Sequence, residues 1–97
     1  MSARYRFTKS ARQDLLEIAD YISDDDPAAA ERVVDQIVEA IERLCQFPAM
    51  GHVDIKLAGP RHRLWPVSRY LLIYRPDTDP LQIVRIWDPA RGKPRLR

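Results

Sequence analysis

Cysteine is almost missing from this chain: Cys45 is the only one in 97 residues. No internal disulfide can form, so no disulfide framework holds the fold. Long apolar runs are missing too. No stretch approaches the roughly 18 apolar residues that a membrane span needs. Arg4, Arg6, Lys9, Arg12, Asp14 and Glu17 interrupt the positions where a secretory leader would carry its apolar core. A soluble, cytoplasmic protein with no membrane contact is the expectation. Histidine is scarce: His52 and His62 stand apart, and no ligand spacing links them to Cys45. The Asp24-Asp25-Asp26 run fits helix capping and solvation better than a metal site. Neither a metal nor a cofactor is expected. The length leaves no room for a second core, so residues 1–97 form one domain.

Acidic residues thin out towards the C-terminal end. Residues 1–60 hold 7 Lys/Arg against 11 Asp/Glu, whereas residues 61–97 hold 9 against 3. The net charge of +2 therefore divides into an acidic part and a strongly basic one. Eight of the nine basic residues in the second part are Arg, whose planar fork of donors suits carboxylates and phosphates. An acidic partner is implied, either a nucleic acid or an acidic protein surface. Composition leaves direct nucleic-acid binding open.

What is abundant is pattern. Tyr5-Arg6-Phe7 alternates like a short strand. Thr8 or Ser10 offers an oxygen to the free amides of a helix start, and Ser10 with Gln13 also fits a capping box. Ala11, Leu15, Ile18 and Ile22 follow helical spacing, with Asp14, Glu17 and Asp20 placed on the wetter side. Asp26-Pro27 opens a second helix, which runs to about Cys45 with Ala30, Val34, Ile37, Ile41 and Leu44 on its apolar face. Phe47-Pro48 stops it. Residues 48–62 read as a loop. The period then changes to two over Arg63–Val67, Tyr70–Arg75 and Leu81–Trp87. Asp77-Thr78-Asp79-Pro80 is turn chemistry joining the last two strands into a hairpin, and Pro66 marks an edge or a bulge. Residues 90–97 read as a mobile basic tail carrying Arg91, Lys93, Arg95 and Arg97.

The order predicts an α+β domain: an N-terminal strand, an antiparallel helical hairpin, then a three-stranded antiparallel meander, with the helices on one sheet face. The other face is expected to be open to a partner. By alternation Arg63, Trp65 and Val67 share a face of their strand, as do Ile83, Arg85 and Trp87 of theirs. Should these faces coincide on the open side, two arginines and two indoles make a patch, and Arg63, Trp65, Arg75, Arg85, Trp87 and Arg91 are the candidate partner-binding residues, since Arg and Trp anchor many interfaces.

Four stretches, in order, resemble the RelE/ParE toxins of bacterial type II toxin–antitoxin systems. They are Ala11–Ile18 with Tyr21-Ile22; Asp26–Ala30; Leu44 with Phe47–Gly51; and Arg63, Pro66-Val67, Tyr70–Arg75 and Ile83–Ile86. The resemblance runs from about Tyr5 to Arg91 and is closer to the ParE branch. It implies a cognate antitoxin as partner and one of two lethal activities, ribosome-dependent mRNA cleavage or poisoning of DNA gyrase. The nuclease branch places an arginine after the tyrosine that opens the central strand, where this chain has Leu71. It carries lysines on the preceding strand, where His62 and Leu64 stand here. Related nucleases have a histidine where Asp88 stands, and Arg91 alone matches the basic set. No catalytic set is expected, and the resemblance favours gyrase. An antitoxin-binding module without toxicity is the third reading.

Overall fold

The computed structural model describes residues 4–96. The chain forms β1 (Tyr5–Phe7), α1 (Lys9–Asp25), α2 (Pro27–Gln46), a 3-10 turn (Pro48–Met50), α3 (Ile55–Ala58), β2 (Arg63–Val67), β3 (Tyr70–Arg75), β4 (Leu81–Trp87) and a second 3-10 turn (Pro89–Arg91). The long helices start as their sequences dictate. The Thr8 side chain accepts from the Ala11 amide, and that of Asp26 from the Ala29 amide, with Pro27 in the first turn where no amide hydrogen is required. The second connection is tighter than a loop: the Asp26 amide donates to the Ile22 carbonyl at the end of α1 while its side chain starts α2.

The sheet has four strands in the order β1-β4-β3-β2. β2, β3 and β4 form the antiparallel meander, and β1 joins the outer side of β4 in parallel. Pro66 lies on β2, an edge strand, where its missing amide costs no ladder bond. The α1–α2 hairpin covers one sheet face. Ala11 of α1, Ile37, Ile41 and Leu44 of α2, and Leu72 and Ile86 of the sheet meet in the main core. Cys45 lies half-buried beside it, and burial pushes its thiol pKa up.

Two sequence expectations change. Residues 48–62 are not a plain loop, since they contain a 3-10 turn and α3. The second sheet face is not open. Leu64, Ile73, Val84 and Trp87 form a smaller core there, roofed by Leu57 and Ala58 of the α3 region and by Leu96. The continuous apolar runs Leu71-Leu72-Ile73 and Ile83-Val84 have apolar partners on both faces because the helical hairpin covers one face and the α3 region with Leu96 covers the other. Residues 90–96 of the expected tail lie along this face, with Pro94 buried; Arg97 falls outside the described residues. No helix among the described residues is long and apolar enough to cross a membrane.

Candidate partner-binding surface

The arginines and tryptophans singled out in the sequence do not meet on one face. Register places Arg63, Trp65 and Val67 opposite Tyr74, Leu72 and Tyr70, all of which face the helices. Arg85 and Trp87 stand opposite Ile73 and Leu71, which belong to the other face. The alternation through β4 is broken by a bulge. Ile73 pairs with Arg85 but Tyr74 with Ile83, so Val84 is the extra residue. Ile83 therefore enters the main core, while Arg85 and Trp87 point the other way. The single patch predicted by strict alternation is replaced by two separate sets.

On the second face Trp87 is only 7% exposed. Its indole Nε1 donates to the Gly92 carbonyl at 2.7 Å, so the polar atom of this buried ring is satisfied. The guanidinium carbons of Arg85 and Arg91 lie 4.9 and 5.1 Å from its ring centre, within cation–π range. Arg85 is committed further. Its Nε and Nη2 donate to the two carboxylate oxygens of Asp14 at 2.7 and 2.8 Å, and its Nη1 donates to the Arg95 carbonyl at 3.1 Å. The Asp14 hydrogen bonds push the Arg85 pKa up, against the effect of its own burial.

Asp14 was expected on the wet side of its helix, and it is 4% exposed. The reason lies in the length of β1. That strand pairs with β4 only along Leu81–Ile83, so the rest of that side of β4 has no strand beside it. α1 satisfies it instead. The Thr8 hydroxyl donates to the Val84 carbonyl at 2.7 Å, and Asp14 accepts the Ile86 amide at 3.0 Å. One carboxylate thus serves a strand amide and an arginine at once. A signal was available: Asp14 is three residues after Ala11 and four before Ile18, on the apolar stripe.

Arg63 and the Phe47–Gly51 stretch are also joined. The Tyr74 hydroxyl donates to the Pro48 carbonyl at 2.6 Å and accepts the Gly51 amide at 2.9 Å. Arg63 Nη1 donates to the Gly51 carbonyl at 2.7 Å. Burial pushes the Tyr74 pKa up, keeping the hydroxyl protonated as a donor. Arg75 pairs with Asp77 at 3.2 Å beside the β3–β4 turn, and this holds the Asp77 carboxyl below its ordinary range.

The ParE toxin model, described as the ParE toxin of the type II toxin–antitoxin system parDE, matches residues 5–92. The chain belongs to the ParE toxin family. It is also 37% identical over 76 residues to the candidate toxin Y4kP of Sinorhizobium fredii, spanning 78% of each chain. A solved structure titled as a chromosomal ParDE toxin–antitoxin system from P. aeruginosa superposes with a TM-score of 0.70 at 26% identity, covering 84% of this chain and 90% of that one.

In this ParE-family chain the positions that the nuclease branch uses for chemistry hold packing or capping groups. Leu64 is fully buried in the smaller core, and Leu71 packs against it. His62 Nδ1 lies 3.0 Å from the Ala58 carbonyl at the end of α3. Asp88 accepts the Ala90 amide at 3.0 Å, starting the last 3-10 turn, and pairs with Arg69 at 3.1 Å. Of the six residues expected to bind a partner, only Arg91 is exposed; Trp65 and Arg75 are half-buried, as is Arg63 on the Gly51 carbonyl, and Arg85 and Trp87 are built into the fold. Trp65 forms the wall of a groove between α2 and β2, of about 530 Å³, lined also by Gln36, Glu39, Ala40, Arg43 and Val67.

Proposed function

We propose that this ParE-family toxin is neutralised by a cognate antitoxin and that its target is DNA gyrase rather than mRNA. One observation carries the choice of target. Metal-free RNA cleavage needs an acid, a base and cations around the phosphate, and two of the matching positions hold aliphatics, the fully buried Leu64 and the partly buried Leu71. The titratable groups left at the other matching positions are engaged elsewhere, His62 at the Ala58 carbonyl and Asp88 with Arg69 and the Ala90 amide. A cytoplasmic site of action is part of the same proposal. The expected result is inhibition of gyrase supercoiling, with accumulation of cleaved DNA, on adding purified toxin to gyrase and relaxed plasmid. Absence of any effect at excess toxin, together with new cuts in mRNA mapped by primer extension after brief expression, would establish the nuclease reading instead.

The groove beside Trp65 is the proposed antitoxin contact. An indole flanking an apolar floor, rimmed by Gln36, Glu39 and Arg43, has the make-up of an interface anchor with a polar margin. Trp65→Ala is expected to weaken antitoxin binding by about 2 kcal/mol, roughly 30-fold. Calorimetry on the purified pair measures it, and an unchanged affinity would remove Trp65 from the interface.

A further inference from the structure

The sequence pattern gives residues 90–97 the look of a loose basic tail, yet the described part is fastened down. The Gly92 carbonyl accepts from Trp87 Nε1 at 2.7 Å, and the Arg95 carbonyl accepts from Arg85 Nη1 at 3.1 Å. Leu96 packs into the smaller core, and Pro94 is buried. Between these anchors Arg91, Lys93 and Arg95 are exposed. The backbone is thus held to the sheet while Lys93 and Arg95 stay exposed and Arg91, also exposed, lies over the Trp87 ring.

None of the three is ion-paired among the described residues. Arg91 does border a cavity with Asp14, Glu17 and Asp88. Each of those carboxylates is already engaged: Asp14 by Arg85, Asp88 by Arg69, and Glu17 by the side-chain amide of Gln13. Ile18, Tyr21 and Tyr70 line the same cavity at the Arg91 end, but the segment from Gly92 onward lacks what a protein interface needs. Its apolar members, Pro94 and Leu96, face inward, so no aromatic or aliphatic anchor stands between the charges. Fixed cations without apolar anchors suit a regular polyanion, whose phosphates are bound by charge and counterion release.

We propose that the fastened segment Arg91–Arg95 is a cationic ridge that binds the phosphate backbone of duplex DNA directly. This contact is separate from the choice between gyrase and mRNA as target. The test is fluorescence anisotropy of the full-length toxin with a labelled DNA duplex across a salt series. Three phosphate contacts predict a log–log salt slope with a contribution of about −2.7, or a roughly 40-fold loss in affinity between 50 and 200 mM salt. The variant Arg91→Gln/Lys93→Gln/Arg95→Gln alters exposed side chains, of which only Arg91 contacts the core, over the Trp87 ring; it should fold, and it should lose that part of the slope. Trp87→Phe keeps every charge but removes the bond to Gly92. It should weaken binding severalfold, whereas a loose tail would be indifferent. An unchanged slope in the triple variant overturns the proposal. So does binding of a polyglutamate peptide more tightly than DNA, which would mark a protein-binding surface. Should Trp87→Phe fail to fold, the triple variant decides alone.

Discussion

Asp14→Ala is expected to remove most of the stability of this fold. The carboxylate accepts three hydrogen bonds, from Arg85 Nε, Arg85 Nη2 and the Ile86 amide, at 2.7, 2.8 and 3.0 Å. It does so almost out of reach of water, with 4% exposure against 15% for the Arg85 side chain. Removing one partner of a buried pair leaves the other charge uncompensated, at about 3–5 kcal/mol. The stranded Ile86 amide adds about 1–3 kcal/mol. Domains are stable by only about 5–15 kcal/mol, so the variant is expected to be largely unfolded at physiological temperature. Urea denaturation followed by circular dichroism measures it. The double variant Asp14→Leu/Arg85→Leu separates the causes. It removes both charges, so much of the loss should return, leaving chiefly the cost of the unmet amide. A single-variant loss below about 1 kcal/mol would show that water or another group replaces Asp14.

Gly51→Ala should cost about 3 kcal/mol, and the reason is space rather than backbone conformation. Gly51 has φ −70° and ψ 164°, which any residue adopts. A Cβ there would lie 2.4 Å from the Tyr74 hydroxyl, 2.8 Å from its ring and 2.9 Å from the Leu64 carbonyl. Tyr74 is fully buried, so its ring cannot swing away into solvent. The chain must move, at the usual overpacking cost of about 1–3 kcal/mol. It would also strain the hydroxyl bonds to Pro48 and Gly51, worth about 0.5–1.5 kcal/mol each. Tyr74→Phe by itself should cost about 1–3 kcal/mol, from the amide and carbonyl left unpaired. In that background Gly51→Ala should be milder, because the shortest clash is gone, but not neutral, because the ring and the Leu64 carbonyl stay. Strict additivity of the two changes in a thermal-unfolding cycle would refute the shared contact.

Local physics made most of the architecture legible. The periods of 3.6 and 2 separate the helices from the strands, and the predicted spans of the three C-terminal strands agree with those observed. Asp26-Pro27 marks the helix junction because a side-chain acceptor and an imino residue meet the first turn's needs without any tertiary help. Family membership was also readable, since it rests on stretches preserved in order along the chain.

The sites were less legible, because they depend on what lies across the fold. Alternation puts Ile83, Arg85 and Trp87 on one face, but one extra residue against Ile73 moves Ile83 to the other. A bulge is set by packing and ladder geometry between strands, and neither has a short-range signature. Asp14 looked wet because it is charged. Its burial follows from a β1 too short to cover β4, a fact of pairing rather than of composition. The basic tail looked loose because its anchors are the Gly92 carbonyl accepting from Trp87, the Arg95 carbonyl accepting from Arg85 and an apolar contact from Leu96. By itself, then, the sequence determined which elements form, their order and the family, because those follow from bonds and periods within about a dozen residues. Only the tertiary structure decided which arginines are spent on the fold and which stand free, because a guanidinium's partner is chosen by distance in space.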